Sequence, residues 1–119
     1  MRAENIQNNP IVKLTFEFSL LIIEYCKQLD AQKEFQLSKQ LFRSGTSIGA
    51  NVCEALNAES KSDFIHKFKI AAKEVDETQY WLLLCKHSKG FPESTNLLNK
   101  LNEIDKIITK IISTSKQKR

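Results

Sequence analysis

Residues 45–49 have the sequence Gly-Thr-Ser-Ile-Gly, which is the G-x-S-x-G spacing of the nucleophile elbow in serine hydrolases. In that motif a strand turns sharply into a helix, and a histidine and an acid activate the exposed serine hydroxyl. Asp63, Asp76 and His87 supply those residue types here. The residues around the motif repeat at helical spacing, however, and the sequence contains no pattern for a parallel sheet. The motif therefore lacks the context that a hydrolase requires.

The remaining reactive side chains do not form a recognisable site. His66 and His87 are far apart in sequence, and neither forms an i, i+4 pair with another metal ligand. Glu74 and Glu77 lie one helical turn apart, but a di-iron bundle requires Glu-x-x-His motifs, which the sequence lacks. The cysteines are odd in number and share no C-x-x-C spacing, which argues against a zinc cluster or a disulfide framework; they are Cys26, Cys53 and Cys85. The sequence therefore predicts no enzymatic activity, no metal and no cofactor.

The elements that carry these side chains are predicted to be helices. Apolar residues recur every three or four positions along most of residues 1–119, which predicts a single domain of four amphipathic helices. Because the connections are short, consecutive helices should be antiparallel neighbours, and the predicted fold is an all-α, antiparallel up-down-up-down four-helix bundle. The predicted helices span about residues 10–30, 33–59, 61–88 and 93–114, and they are followed by a basic tail, 115–119, that we expect to fray.

Local signals mark several helix ends. Asn9 followed by Pro10 is a typical helix start, and Ser60 with Asp63 three residues later resembles a capping box. Gly90 can adopt the left-handed conformation that closes a helix. Within the second predicted helix, two glycines four residues apart each cost about 1 kcal/mol relative to Ala. This spacing favours a close approach by another helix, with a local distortion as the alternative.

The composition excludes several classes of protein. Of the 119 residues, 41% are hydrophobic and 27% are charged, which excludes a disordered chain. Only 3 Gly and 2 Pro are present, too few for the frequent turns of an all-β fold. No apolar stretch approaches the roughly 20 residues needed to span a bilayer, and the N-terminus does not resemble a secretory signal. We therefore expect a cytoplasmic location and no association with membranes.

The first predicted helix has apolar residues on two opposite faces, and the third carries further apolar residues away from its core-facing side. A helix of a monomeric bundle should be polar on its outer face, so these residues predict self-association. The alternative is that they are scattered surface hydrophobic residues, which are common. The predicted oligomer interface comprises Val12, Phe16, Leu20, Ile23, Ile70 and Trp81.

The outer face of the second predicted helix combines small residues with side chains that can form hydrogen bonds. Arg43, Ser47, Asn51 and Glu54 lie opposite the apolar stripe of this helix. Such a mixture suits a subunit contact or a ligand-binding surface, and a plain solvated face is the alternative.

Positive charge is concentrated in the last third of the chain. The formal net charge is +4, and the residues from Lys86 onward contain 8 basic and 3 acidic residues, a surplus of +5. Clustered lysines attract polyanions such as RNA or DNA, although a lysine-rich terminus can also serve only solubility. The candidate phosphate contacts are Lys100, Lys106, Lys110, Lys116, Lys118 and Arg119.

The order Arg-Ser, Ser-Ile and Asn-Val-x-Glu in the second predicted helix resembles a known family of bundles. This family comprises the 23S rRNA intervening-sequence proteins, which are encoded within insertions in bacterial 23S rRNA genes, and also includes the accessory variability determinant of diversity-generating retroelements. The resemblance covers about residues 10–112. It implies a cyclic homopentamer without catalytic activity, and retroelement members bind nucleic acid and a reverse transcriptase through a basic surface. The residues that carry the resemblance, here called the polar seam, are Arg43, Ser47, Asn51, Glu54 and Glu77.

Together these features predict a non-enzymatic oligomeric adaptor that binds nucleic acid, RNA in the first instance, through basic surface pooled over several copies. The alternative is a scaffold that binds a partner protein, for example a reverse transcriptase, and has no direct role in nucleic-acid binding.

Overall fold

The computed structural model describes residues 3–117, and within this range all regular structure is helical. A short helix at the N-terminus, which the periodicity does not predict, precedes four long helices that correspond to the predicted ones. The helices are α1 (Ala3–Asn8), α2 (Pro10–Ala31), α3 (Phe35–Leu56), α4 (Lys61–His87) and α5 (Thr95–Gln117).

The four long helices form an elongated bundle with extents of 50 × 27 × 21 Å. α2 contacts α3 and α5, and α4 also contacts α3 and α5, so that each long helix has two neighbours around the ring. The connections between successive helices are short, which makes neighbours antiparallel. The predicted all-α four-helix bundle is confirmed. None of the described helices is both long enough and apolar enough to cross a membrane.

The core lies along the bundle axis and receives side chains from all four long helices. Phe18, Ile48, Phe68 and Ile104, one from each helix, are at most 1% exposed. In α4 the side chains that recur at alternating steps of three and four residues from Phe68 to Cys85 are all buried, which is the spacing of a heptad. Burial of a large apolar side chain contributes about 1.5–3 kcal/mol, and such contributions add along the whole length of the bundle.

The predicted helix starts are confirmed in detail. The Asn9 side chain accepts hydrogen bonds from the backbone N–H groups of Ile11 at 3.2 Å and Val12 at 3.3 Å, ahead of Pro10 in the first turn. The Ser60 hydroxyl accepts from the N–H of Asp63 at 3.0 Å. These bonds satisfy donors that a helix leaves unpaired at its N-terminus. Gly90 is left-handed, φ +87°, but it lies two residues after the extended C-cap residue Ser88, so it forms the turn toward α5 and does not itself close α4.

The two glycines of α3 mark the closest approach of α2 and α3. A Cβ atom at Gly45 would lie 2.8 Å from Cγ1 of Ile22, and one at Gly49 would lie 3.3 Å from Cβ of Thr15. α3 continues without a break through both positions. The close approach, and not a distortion of the helix, therefore accounts for this pair of glycines.

Both boundaries of α3 differ from the prediction by two or three residues. α3 begins at Phe35 and not at residue 33, because Lys33 adopts a left-handed conformation, φ 63°, in the turn that closes α2. The N–H of Glu34 bonds to the carbonyl of Leu29 at 2.9 Å, and that of Lys33 bonds to Asp30 at 2.9 Å, which together form a Schellman motif. α3 ends at Leu56 and not at 59, since the chain must become extended at Ser60 to cap α4.

The C-terminal helix is longer than predicted. α5 begins at Thr95 and continues to Gln117, so that residues 115–117 of the predicted tail are helical. Lys and Gln are good helix formers, and no Gly or Pro interrupts this segment. Lys118 and Arg119 lie outside the described residues.

Candidate functional site

Ser47, the centre of the G-x-S-x-G pattern, lies in the middle of α3. Its hydroxyl donates a hydrogen bond to the carbonyl of Arg43 at 2.5 Å, one turn earlier in the same helix. The strand–turn–helix geometry that exposes a catalytic serine is therefore absent at this position. The pattern arises from the close packing of α2 and α3, which requires the two flanking glycines.

The polar seam forms an ionic cluster between α3 and α4. The Arg43 guanidinium bonds to the Glu74 carboxylate at 3.1 Å and also to the Glu77 carboxylate. The indole N–H of Trp81 donates to the same Glu77 oxygen at 3.0 Å. Arg43 is about half exposed (51%), whereas Glu74 is only 15% exposed. One guanidinium thus links two carboxylates and an indole across two helices.

The electrostatics of this cluster follow from the hydrogen bonds. The bond from Arg43, with a further contribution from Trp81, holds the pKa of the Glu77 carboxyl below its ordinary value. The same bond to Glu77 raises the pKa of Arg43. Arg43, Glu74 and Glu77 together carry a formal charge of −1, so this part of the seam does not attract phosphate.

The other seam residues also make bonds within the chain. The Asn51 side chain donates to the carbonyl of Ser47 at 2.8 Å. Glu54 pairs with Lys67 of α4 at 3.2 Å, a second ionic link between α3 and α4. The structure therefore pairs Arg43 and Glu54 of α3 with charged side chains of α4. Of these α4 partners Glu77 was predicted as a member of the seam, whereas Glu74 and Lys67 were not.

An exposed apolar surface follows the groove between α2 and α3. Phe16 is 39% exposed and Leu20 is 49% exposed on the α2 side. On the α3 side, Phe35 is 60% exposed and Phe42 is 47% exposed, and with the half-buried Ile23 they line a groove of about 460 Å³. We call Phe16, Leu20, Ile23, Phe35 and Phe42 the apolar face. Sequence periodicity predicted the α2 half of this face. It missed the α3 half, because Phe35 and Phe42 fall at the three- and four-residue spacing of the core-facing residues of α3.

The structure corrects the predicted interface at Val12. This side chain is 0% exposed and lies on the side of α2 that faces α3, where it lines a small cavity together with Gly49 and Cys53. Gly49 of α3 lies against Thr15, one turn from Val12 on α2, so α3 packs closely over this part of α2. Val12 is therefore a core residue and cannot contact another copy.

Ile70 and Trp81 lie on a different side of the bundle from the apolar face. Both are half-buried and share one strip of α4 with Glu74 and Glu77. Trp81 also packs against the core and against the Tyr80 ring, with ring centroids 5.3 Å apart. These two residues adjoin the polar seam.

The candidate phosphate contacts of α5 separate into distinct places. Lys106 and Lys110 are exposed and one turn apart, whereas Lys100 is half-buried a turn and a half earlier. Lys116 lies beside α4 and lines a cleft of about 370 Å³ with four α4 residues. We call this the basic cleft; it is lined by Ser62, Ile65, His66, Lys69 and Lys116.

The basic cleft forms where the start of α4 meets the end of α5. The amino group of Lys116 lies beside that of Lys69 and lowers the pKa of Lys69. Lys69 and His66 were not among the predicted phosphate contacts, since neither belongs to the C-terminal basic segment. The predicted antiparallel order of α4 and α5 places the start of α4 beside the end of α5, and this signal could have identified Lys69 and His66 as neighbours of Lys116.

Comparison with known proteins agrees with this architecture. The profile of the family described as 23S rRNA-intervening sequence protein matches residues 7–110. A crystal structure of a protein of unknown function from the S23 ribosomal protein family of Bacteroides thetaiotaomicron VPI-5482 is 43% identical to this chain, with a TM-score of 0.82. The match covers 86% of this chain and 97% of that one. Among curated proteins, none matches the chain. The chain is therefore a member of the 23S rRNA-intervening sequence protein family.

Proposed function

We propose that this protein is a non-enzymatic, oligomeric adaptor that binds nucleic acid, RNA in the first instance, through basic surface pooled over several copies. The observation that carries the proposal is the position of the positive surplus. Lys106 and Lys110 form an exposed pair on α5, and Lys116 adds a third charge at the end of the same helix. Exposed lysines that contact phosphates release counterions, and this release drives binding.

Self-association is part of the proposal because of the apolar face. Four large side chains of this face are at least 39% exposed, two on α2 and two on α3. Contiguous exposed apolar surface of this kind is typical of protein–protein contacts, and burial between copies would contribute about 25 cal/mol per Å². The family resemblance implies a cyclic homopentamer. Several copies held together would present several lysine pairs to one nucleic acid, which strengthens binding through effective concentration.

The test is RNA binding by the full chain over a series of salt concentrations. We expect retardation of a structured RNA at low salt and a linear fall of log affinity with log salt concentration. A lack of binding at low salt, or an affinity independent of salt, would contradict the proposal. Repeating the salt series with duplex DNA shows whether the A-form shape of RNA helices contributes to the affinity.

A partner-protein scaffold is the second candidate function, and the apolar face favours it. This groove could bind an apolar helix of another protein instead of a second copy. Recovery of one stoichiometric partner protein in a complex free of nucleic acid, with no RNA binding by the isolated chain, would support the scaffold over the adaptor.

A further inference from the structure

We infer that the basic cleft, formed by His66 and Lys69 of α4 and Lys116 of α5, binds a phosphate group of a nucleic-acid backbone. The inference rests on the proposed function for the source of the phosphate, which is the nucleic acid. Beyond that function, it assigns the phosphate contact to a defined place on the surface. It also includes two α4 residues, His66 and Lys69, that lie outside the basic C-terminal segment.

The geometry of the cleft suits a tetrahedral anion. Two ammonium groups on different helices converge on one concave site of about 370 Å³. The His66 ring and the Ser62 hydroxyl add hydrogen-bond donors from the first turns of α4. Ser62 also lies two residues after the N-cap, at the positive end of the helix dipole. The donors therefore approach the site from several directions.

The described residues that line the cleft supply positive charge and no negative charge. The pKa of Lys69 is lowered by the neighbouring Lys116 amino group, as expected for two like charges held together. An anion between the two amino groups would replace this repulsion with attraction. Arg43, by contrast, is already paired with two carboxylates, so its charge is not available to bind an anion.

The cleft differs from the other lysines of α5 in its shape. Lys106 and Lys110 lie one turn apart on a single exposed helix face, where they can form two separate contacts with a phosphate chain. Lys69 and Lys116, in contrast, can both bind the same phosphate group. We therefore expect the loss of either cleft lysine to weaken the contact with that phosphate, which lowers the slope of log affinity against log salt concentration by up to about one.

The experiment compares Lys69→Gln and Lys116→Gln with Lys86→Gln in the full chain. Lys86 is an exposed lysine of α4 near the opposite end of the helix, so its substitution removes the same charge away from the cleft. RNA affinity is measured over a salt series, and circular dichroism checks that each variant is folded. In parallel, NMR follows the lysine ε-methylene signals of the unmodified chain during titration with inorganic phosphate.

We expect each cleft substitution to reduce the slope of log affinity against log salt concentration by about 0.7 to 1, and Lys86→Gln to reduce it by clearly less. Phosphate should shift the Lys69 and Lys116 signals together and saturably, should raise the pKa of Lys69, and should compete with RNA. If the unmodified chain binds RNA and the cleft variants behave like Lys86→Gln, the inference is overturned.

Failure of the proposed function gives a different result. If the unmodified chain binds no RNA at low salt, the adaptor proposal fails, and the phosphate titration alone decides the cleft. Saturable shifts confined to Lys69 and Lys116 then support a phosphate site. Weak shifts shared by all exposed lysines reject it.

Discussion

Arg43 shows how one side chain of the polar seam can have a structural role within the protomer. It connects α3 to two carboxylates of α4, one of which, Glu74, is mostly shielded from solvent. Loss of the guanidinium would leave two carboxylates close together without a counterion. Charge-assisted bonds of this kind are stronger than neutral ones, although solvent screens a pair that is half exposed.

At the residue scale, we predict that Arg43→Gln lowers the free energy of unfolding by about 0.5–1 kcal/mol at neutral pH, after allowance for solvent screening. The folded-state pKa of Glu77 lies below its unfolded value of about 4.3. The stabilisation is therefore present above that pH and is lost as the pH falls through the folded pKa. Urea unfolding of both proteins from pH 7 to pH 3 should show the difference between them shrinking.

Lys27→Gln provides the matched control for Arg43→Gln. Lys27 pairs with Glu24 at 3.3 Å, but both side chains are more than 60% exposed. We expect no measurable change in stability for this variant, because exposed pairs contribute little. An equal loss in the two variants, or a difference that does not vary with pH, would show that the Arg43 cluster is an ordinary surface pair.

Helix α2 ends in a Schellman motif that contains a lysine where glycine is usual. Lys33 occupies the left-handed position at φ 63°, which costs a residue with a side chain about 1 kcal/mol. The motif nonetheless forms, since its two hydrogen bonds and the packing of α2 against α3 determine the path of the chain. A local signal for this turn is missing from the sequence.

At the element scale, we predict that Lys33→Gly raises the free energy of unfolding by about 0.5 kcal/mol and the Tm by a few degrees. The gain from relief of strain exceeds the greater flexibility of glycine in the unfolded chain. Gln32→Gly is the control, because Gln32 has an ordinary φ of −88° and should lose stability. Thermal unfolding at one fixed protein concentration checks both variants; a lower Tm for both would reject the strain argument.

Assembly belongs to the scale of the whole molecule. Each chain buries a core of its own, so the protomer does not need the apolar face in order to be stable. A charge placed on that face should therefore disrupt association between copies without unfolding the helices.

At this scale, we predict that Phe16→Glu or Leu20→Glu gives a soluble species of smaller mass with unchanged helical content. Each substitution would bury an unpaired carboxylate at the contact between copies. Light scattering coupled to size exclusion, with circular dichroism, measures both properties. Gln28→Glu, an exposed position of α2 outside the apolar face, should leave the mass unchanged. A monomeric mass for the unmodified protein at micromolar concentration would refute the proposed self-association.

Local patterns in the sequence determined the helices and several of their ends. Apolar periodicity predicted all four long helices, and the capping residues Asn9 and Ser60 predicted two starts that the structure confirms. Such signals operate within one or two turns of helix, so they are readable without knowledge of the fold. The short helix α1 and the turn at Lys33 carry no comparable signal.

The tertiary structure alone decided which side chains meet. Val12 is in the core where Gly49 lets α3 pack closely against α2. Lys116 meets Lys69 because α4 and α5 are antiparallel, so that the start of α4 lies beside the end of α5. These outcomes depend on the rotation and spacing of whole helices, which many weak packing contacts set jointly. The sequence by itself thus determined the helices and their order around the bundle. The burial of Val12, the α3 half of the apolar face and the basic cleft required the packed molecule, since residues far apart in the chain become neighbours only there.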